Sequence, residues 1–129
     1  MPLVFNELAG WVSVLLGMIS GALLGMRFHD PAFLGGYGSL PRRMVRLGHI
    51  ALLALGMLNV LFVQSAGRLV LSDNELSIAQ WCLLLGNVAM PACCVLTAWR
   101  VGLRHLFVLP VALLIGGVYS VCAGLLRGV

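Results

Sequence analysis

The chain has 129 residues and is rich in apolar side chains, which excludes a soluble globular fold. Hydrophobic residues make up 61% of it and charged residues 9%, whereas an average soluble domain has about 25% charged residues. So few polar groups cannot cover the surface of a soluble protein. The net charge is +4, but the arginines lie at the ends of apolar runs. Membrane topology therefore explains them, and we expect no nucleic-acid partner.

Four apolar segments follow one another along the chain, and each is long enough to cross a lipid bilayer. A membrane-spanning helix needs about 20 apolar residues. The four segments cover about 9–27, 43–65, 76–98 and 104–126. We therefore predict an all-α integral membrane protein. Residues 1–129 should form one domain, an up-down four-helix transmembrane bundle.

Three local signals refine the ends and the shape of these helices. Pro41 suits the first turn of the second helix, where its missing N–H has no partner to lose. Ser72 and Glu75 have the spacing of a capping box and place the start of the third helix. Pro110 lies inside the fourth predicted helix and is expected to bend it.

The distribution of arginines predicts the orientation in the membrane. If the helices alternate in direction, one end of the bundle carries six arginines, and the other end carries Arg68 and Arg127. Cytoplasmic ends of membrane helices carry the excess of basic residues. We therefore expect the arginine-rich end to face the cytoplasm of a bacterium, with both termini on the outer side of the inner membrane. The arginine-rich end comprises Arg27, Arg42, Arg43, Arg46, Arg100 and Arg104.

Three glycines lie four residues apart on the first helix: Gly17, Gly21 and Gly25. Small residues at this spacing let a second helix approach closely. This stripe predicts association with other membrane subunits or with a second copy of the chain.

The three histidines of the chain all fall near the arginine-rich end. His29 ends the first predicted helix, and His49 and His105 each lie about one turn into the second and fourth. These two helices should run in the same direction, so we expect His49 and His105 at equal depth. Diagonal helices of a four-helix bundle leave a gap of roughly 11–14 Å between their axes. Two imidazoles that face each other across this gap could hold haem b, with His29 as the reserve ligand.

Neighbouring residues agree with a haem site between the second and fourth helices. Gly56 and Ala112 each lie seven residues after a histidine, on the same helix face, and would leave room for the macrocycle. Arg46 and Arg104 could pair with the haem propionates. The arrangement resembles membrane b-type cytochromes in general plan: four helices, histidines on facing helices and small residues beneath them. This resemblance implies a subunit that transfers electrons within a larger complex, with quinone or a partner subunit as the exchange partner.

Two other functions remain open from the sequence. The chain could be a cofactor-free structural or assembly subunit, because histidine is tolerated where its ring reaches the interface. It could also handle a metal or a solute, with His49 and His105 as metal ligands. The predicted spans contain no acid or lysine, which disfavours a proton-coupled transporter. Asn59 and Asn87 fall at similar depths, and we expect a hydrogen bond between them.

Overall fold

The computed structural model describes residues 2–129, of which the great majority are helical and none is in a strand. Four helical segments are long and apolar enough to cross a membrane. This confirms the predicted all-α membrane fold. The helices are α1 (Val4–Met26), α2 (Leu40–Ser65), α3 (Asp73–Trp99) and α4 (Val108–Leu126).

The predicted signals at the starts of α2 and α3 are confirmed. Ser39 accepts a hydrogen bond from the backbone N–H of Arg42, and Pro41 lies in the first turn. Ser72 and Glu75 form both bonds of a capping box, so α3 begins directly after Ser72. These caps satisfy donors that a helix cannot pair internally.

The start of α1 lies earlier than hydrophobicity alone predicts. The apolar run begins at about residue 9, but the helix begins at Val4. Asn6 lies within the first turn and is completely buried. Its burial against other helices explains why a polar residue is part of a membrane helix here.

The fourth span is Val101–Leu126 and includes the predicted start at about residue 104, but its first part is not α-helical. Residues Val101–Phe107 form a 3₁₀ helix, and the α-helix begins only at Val108. Pro110 is therefore the third residue of α4, where the backbone N–H groups have no partner within the helix. Within α4 it removes no backbone hydrogen bond, and the bend expected at Pro110 stays a prediction. Arg104 and His105 consequently lie before α4 rather than in it.

The four helices pack in sequence, each mainly against its neighbour along the chain. The extensive contacts are those of α1 with α2, of α2 with α3, and of α3 with α4. Within the most apolar window of each helix, 44% of the residues of α3 are buried but only 11% of those of the α4 segment. The buried cluster of Phe62, Ala79 and Leu83 lies between α2 and α3 and is covered in part by α4. The third helix is thus the centre of the bundle.

The helices α1 and α2 touch through their backbones. A Cβ atom added to Gly10 would lie 2.7 Å from the carbonyl oxygen of Gly56, and one added to Gly56 would lie 2.7 Å from that of Gly10. Further along, Leu53 packs on Gly17 and the ring of His49 packs on Gly21. Two glycines of the predicted stripe, Gly17 and Gly21, therefore contact α2 of the same chain. No atom would lie within 4 Å of a Cβ on Gly25.

Helix α4 uses small residues at seven-residue intervals to pack on the centre of the bundle. Its buried residues are Pro110, Gly117 and Gly124. A Cβ on Gly117 would lie 2.8 Å from Leu83, and one on Gly124 would lie 2.8 Å from Leu71. Leucine side chains thus fill the notches that these glycines leave in α4.

The backbone contact between α1 and α2 predicts opposite effects for two alanine substitutions. Gly56→Ala should lower the free energy of unfolding by about 1–3 kcal/mol, because a carbonyl group of α1 cannot move aside cheaply. Gly25→Ala is the matched control in open space and should be neutral or raise stability by up to about 1 kcal/mol through helix propensity. Unfolding by a denaturing detergent, followed by circular dichroism, measures both. Equal effects of the two substitutions would contradict the contact.

Candidate functional site

His49 faces α1, and its imidazole takes part in helix packing. Its Nδ1 lies 2.8 Å from the carbonyl oxygen of Gly17 and 3.3 Å from the hydroxyl of Ser20. A carbonyl oxygen only accepts hydrogen bonds, so Nδ1 carries a proton and donates it to Gly17. The Cε1 corner of the ring, between the two nitrogens, lies against Gly21. Gly56 shares this face of α2, as predicted, but the face packs against α1.

The structure does not place His105 opposite His49. His105 and Arg104 are exposed in the 3₁₀ segment before α4, and Ala112 is exposed on α4. His49, in contrast, lies nine residues after the first residue of α2, or about 13 Å along the axis. The helices α2 and α4 barely touch. The shared inward direction that the predicted haem site requires is therefore not found, since His49 faces α1 and His105 is exposed.

A cavity between α2 and α4 exists, but at the end of the bundle remote from the histidines. Its volume is about 100 Å³, well below the roughly 300 Å³ of the smallest typical ligand sites. Aliphatic and aromatic side chains line most of it. The lining residues are Leu58, Leu61, Phe62, Ser65, Leu83, Val118 and Val121. This space has no group that could ligate a haem iron.

The described part of the chain gives a metal site no support. Within residues 2–129, no three side chains of His, Cys, Asp or Glu come together in a group that could hold a metal ion. His29 is exposed in the turn after α1, and Asp30 next to it accepts a hydrogen bond from the backbone N–H of Ala32.

A polar groove opens beside His49 between α1 and α2. It has a volume of about 270 Å³, and Arg46 and His49 are its polar residues. The rest of its wall is apolar side chain or glycine. We call it the basic groove, and its lining residues are Gly21, Leu24, Gly25, Phe28, Arg46, His49 and Ile50.

Arg42 holds the connection between α1 and α2 in place. It is only 3% exposed, and its guanidinium donates to the carbonyl oxygens of Phe28 and Asp30 at 3.2 and 3.3 Å. The same guanidinium lies 5.1–5.8 Å from the ring centres of Phe28, Phe33 and Tyr37. Cations are attracted to aromatic faces at such distances. The buried arginine is therefore held by carbonyl groups and rings.

Arg46 shares two of these rings with Arg42. Its guanidinium lies 5.7 Å from the ring centre of Phe28 and 5.4 Å from that of Tyr37. No carboxylate pairs with either arginine, since the ion pair in residues 2–129 joins Arg127 to Glu75 at the other end. The sequence indicates a role for Arg46 as a basic residue at the start of a predicted span, but not its contacts with the two rings. The signal was present as aromatic residues on both sides of the glycines in the connection.

A second polar cluster ties α1 to α2 and α3 inside the bundle. The side-chain amide of Asn6 donates to Oδ1 of Asn59 and to the carbonyl oxygen of Gln80, both at 3.0 Å. The amide of Asn59 donates to the carbonyl oxygens of Leu55 and Leu83, at 3.0 and 3.3 Å. One asparagine of α1 thus bridges two other helices.

The expected hydrogen bond between Asn59 and Asn87 is not formed. The side-chain amide of Asn87 instead donates to the hydroxyl of Ser13 on α1, at 2.8 Å. Both asparagines find their partners on α1, because that helix approaches α2 and α3 through its small residues. Within residues 2–129, Oδ1 of Asn6 and Oδ1 of Asn87 have no hydrogen-bond partner.

Comparison with known proteins adds no assignment. The sequence matches no protein-family model, and no curated protein or solved structure is similar enough to it to count as a match. The contacts of the chain itself are thus the basis for inferring what it does.

The asparagine bridge predicts measurable coupling between two helices. Asn6→Ala and Asn59→Ala should each lower the free energy of unfolding by about 1–2 kcal/mol, because each leaves polar groups unpaired in an apolar surrounding. The double substitution should cost less than the sum of the two, by about 0.5–1 kcal/mol. A double-mutant cycle of detergent-induced unfolding measures this coupling. Strict additivity would show that the two side chains act independently.

Proposed function

We propose that the chain is a non-catalytic structural or assembly subunit of a larger complex in a bacterial inner membrane. The observation that carries this proposal is the use of polar side chains within the helices. His49 bonds to Gly17, Asn6 bonds to Asn59, and Asn87 bonds to Ser13. These groups join helices of one chain and do not line a path across the membrane.

The openness of the bundle supports a place beside other membrane proteins. Helix α4 packs mainly against α3, and α1 packs mainly against α2. Both outer helices therefore present broad apolar faces. Ile115 and Tyr119 of α4 are 65% and 73% exposed. Such faces suit either lipid or the helices of a second subunit.

Haem b is the second candidate, and one observation favours it. Because Nδ1 of His49 donates to Gly17, the lone pair of the neutral imidazole lies on Nε2, as in histidines whose other nitrogen is fixed by a carbonyl group while they bind a metal. Two observations weigh against it. The basic groove, at about 270 Å³, is smaller than the roughly 300–1,000 Å³ of typical sites for drug-sized ligands, and His105 does not face it.

The proposal predicts that the chain leaves its native membrane as part of a larger particle. A tagged copy at its natural expression level, solubilised in mild detergent, should run well above the size of a 13.8 kDa monomer in its micelle. Ile115→Trp should weaken the association, because the larger side chain on this exposed face of α4 would keep a partner helix at a greater distance. Leu23→Trp on the exposed face of α1 is the matched control for membrane insertion. A monomer from native membranes would contradict the proposal.

The same preparation separates the two candidates. If the chain is a structural subunit, the reduced-minus-oxidised visible spectrum of the purified particle should contain no haem band that depends on His49. A band that disappears in His49→Ala, while the particle keeps its size, would favour haem. A band that survives in His49→Ala and also in His29→Ala and His105→Ala belongs to a partner subunit.

The orientation predicted from the arginines is part of this proposal. One end of the bundle carries six arginines, and the other end carries only Arg68 and Arg127. Because cytoplasmic ends of membrane helices carry the excess of basic residues, we expect both termini outside the cytoplasm. Alkaline phosphatase, which is active only outside the cytoplasm, should be active when fused after Val129. Fused after Gly38, in the connection between α1 and α2, it should be inactive. The reverse pattern would contradict the orientation.

A further inference from the structure

We propose that the basic groove binds the headgroup of an anionic phospholipid, with Arg46 on its phosphate. The groove combines an arginine, a histidine and apolar walls at one end of two membrane helices. This combination matches a lipid, which carries a charged phosphate next to hydrocarbon. The proposal goes beyond the structural role proposed above and does not rest on it, whereas haem on His49 would occupy the same groove.

Charge is the first reason. Arg42 and Arg46 share the rings of Phe28 and Tyr37, so two positive charges lie close together. Neither pairs with a carboxylate among the described residues. Arg42 has two carbonyl partners, whereas Arg46 lies over the rings and has no hydrogen-bond acceptor within residues 2–129. An external anion would complete this site, and the guanidinium fork fits a phosphate group.

Depth and shape are the second reason. Arg46 lies six residues after the first residue of α2, about 9 Å along the axis. This places it where the hydrocarbon region gives way to headgroups. Leu24 and Ile50 continue the wall of the groove as apolar surface, and Gly25 leaves room between them. A lipid chain could lie along this wall while its phosphate meets Arg46. Basic sites between membrane helices bind anionic lipid headgroups in this way.

The tautomer of His49 specifies the headgroup further. Its Nδ1 donates to Gly17, so in the neutral imidazole Nε2 is an acceptor, and the Cε1 corner between the two nitrogens lies at Gly21 on the groove wall. An acceptor next to an arginine favours a headgroup that has a hydroxyl donor beside its phosphate. Phosphatidylglycerol has both groups and a net negative charge. Phosphatidylcholine has neither the hydroxyl nor the net charge.

The test measures bound phosphatidylglycerol by native mass spectrometry, with the protein in micelles that also contain phosphatidylcholine. We expect saturable binding of phosphatidylglycerol and about tenfold weaker binding in Arg46→Gln, the scale of one lost charged hydrogen bond. Arg43→Gln is the matched control, because it removes the same charge from an exposed position outside the groove. Equal losses in the two variants would mean diffuse attraction and would overturn the proposal.

Two further arms keep the result decisive. Gly25→Leu fills the groove and keeps every charge, so it should also weaken binding, and unchanged binding would overturn the site. This variant decides the question if Arg46→Gln fails to fold, as judged by circular dichroism. An excess of inorganic phosphate should not displace the lipid. Displacement would mean that the groove takes free phosphate, which would overturn the assignment to a lipid.

Discussion

The backbone contact between α1 and α2 is the constraint on which the rest of the structure depends. At Gly10 and Gly56 neither helix has a side chain to keep the other away. In a membrane, where lipid is as apolar as leucine, close packing and interhelical hydrogen bonds hold helices together. The close approach at these glycines brings Asn6 within reach of Asn59. Packing and hydrogen bonding are therefore consequences of one small-residue interface.

The same contact decides what His49 can do. The position of His49 on α2 does not by itself decide which neighbouring helix its imidazole contacts. Because Gly21 has no side chain, α1 comes close enough for the ring to rest on it and for Nδ1 to reach Gly17. The histidine therefore joins the two helices through one hydrogen bond and one packing contact. The groove beside it owes its basic character to Arg46, which is turned toward the rings of Phe28 and Tyr37.

The number of spans, their order and the caps of α2 and α3 could be predicted from the sequence, because each depends on neighbours along the chain. The partner of a helix face could not. The stripe through His49 and Gly56 was correctly placed on one face of α2, but the sequence does not say which helix covers that face. The point at which the fourth span becomes α-helical could not be predicted for a related reason, since apolar residues of Val101–Phe107 fit an α-helix and a 3₁₀ segment equally well. Asn6 lies outside the predicted span, so hydrophobicity gives no reason to expect it beside Asn59.

The most direct measurement of this account is the protonation of the His49 ring. Protein with ¹⁵N-labelled histidine, compared with His29→Gln and His105→Gln variants to assign the signals, reports which ring nitrogen carries the proton. The contact with Gly17 predicts a proton on Nδ1 of His49. An Nδ1 without a proton would mean that His49 does not donate to Gly17 and does not hold α1 to α2 in this way, and the account would be wrong.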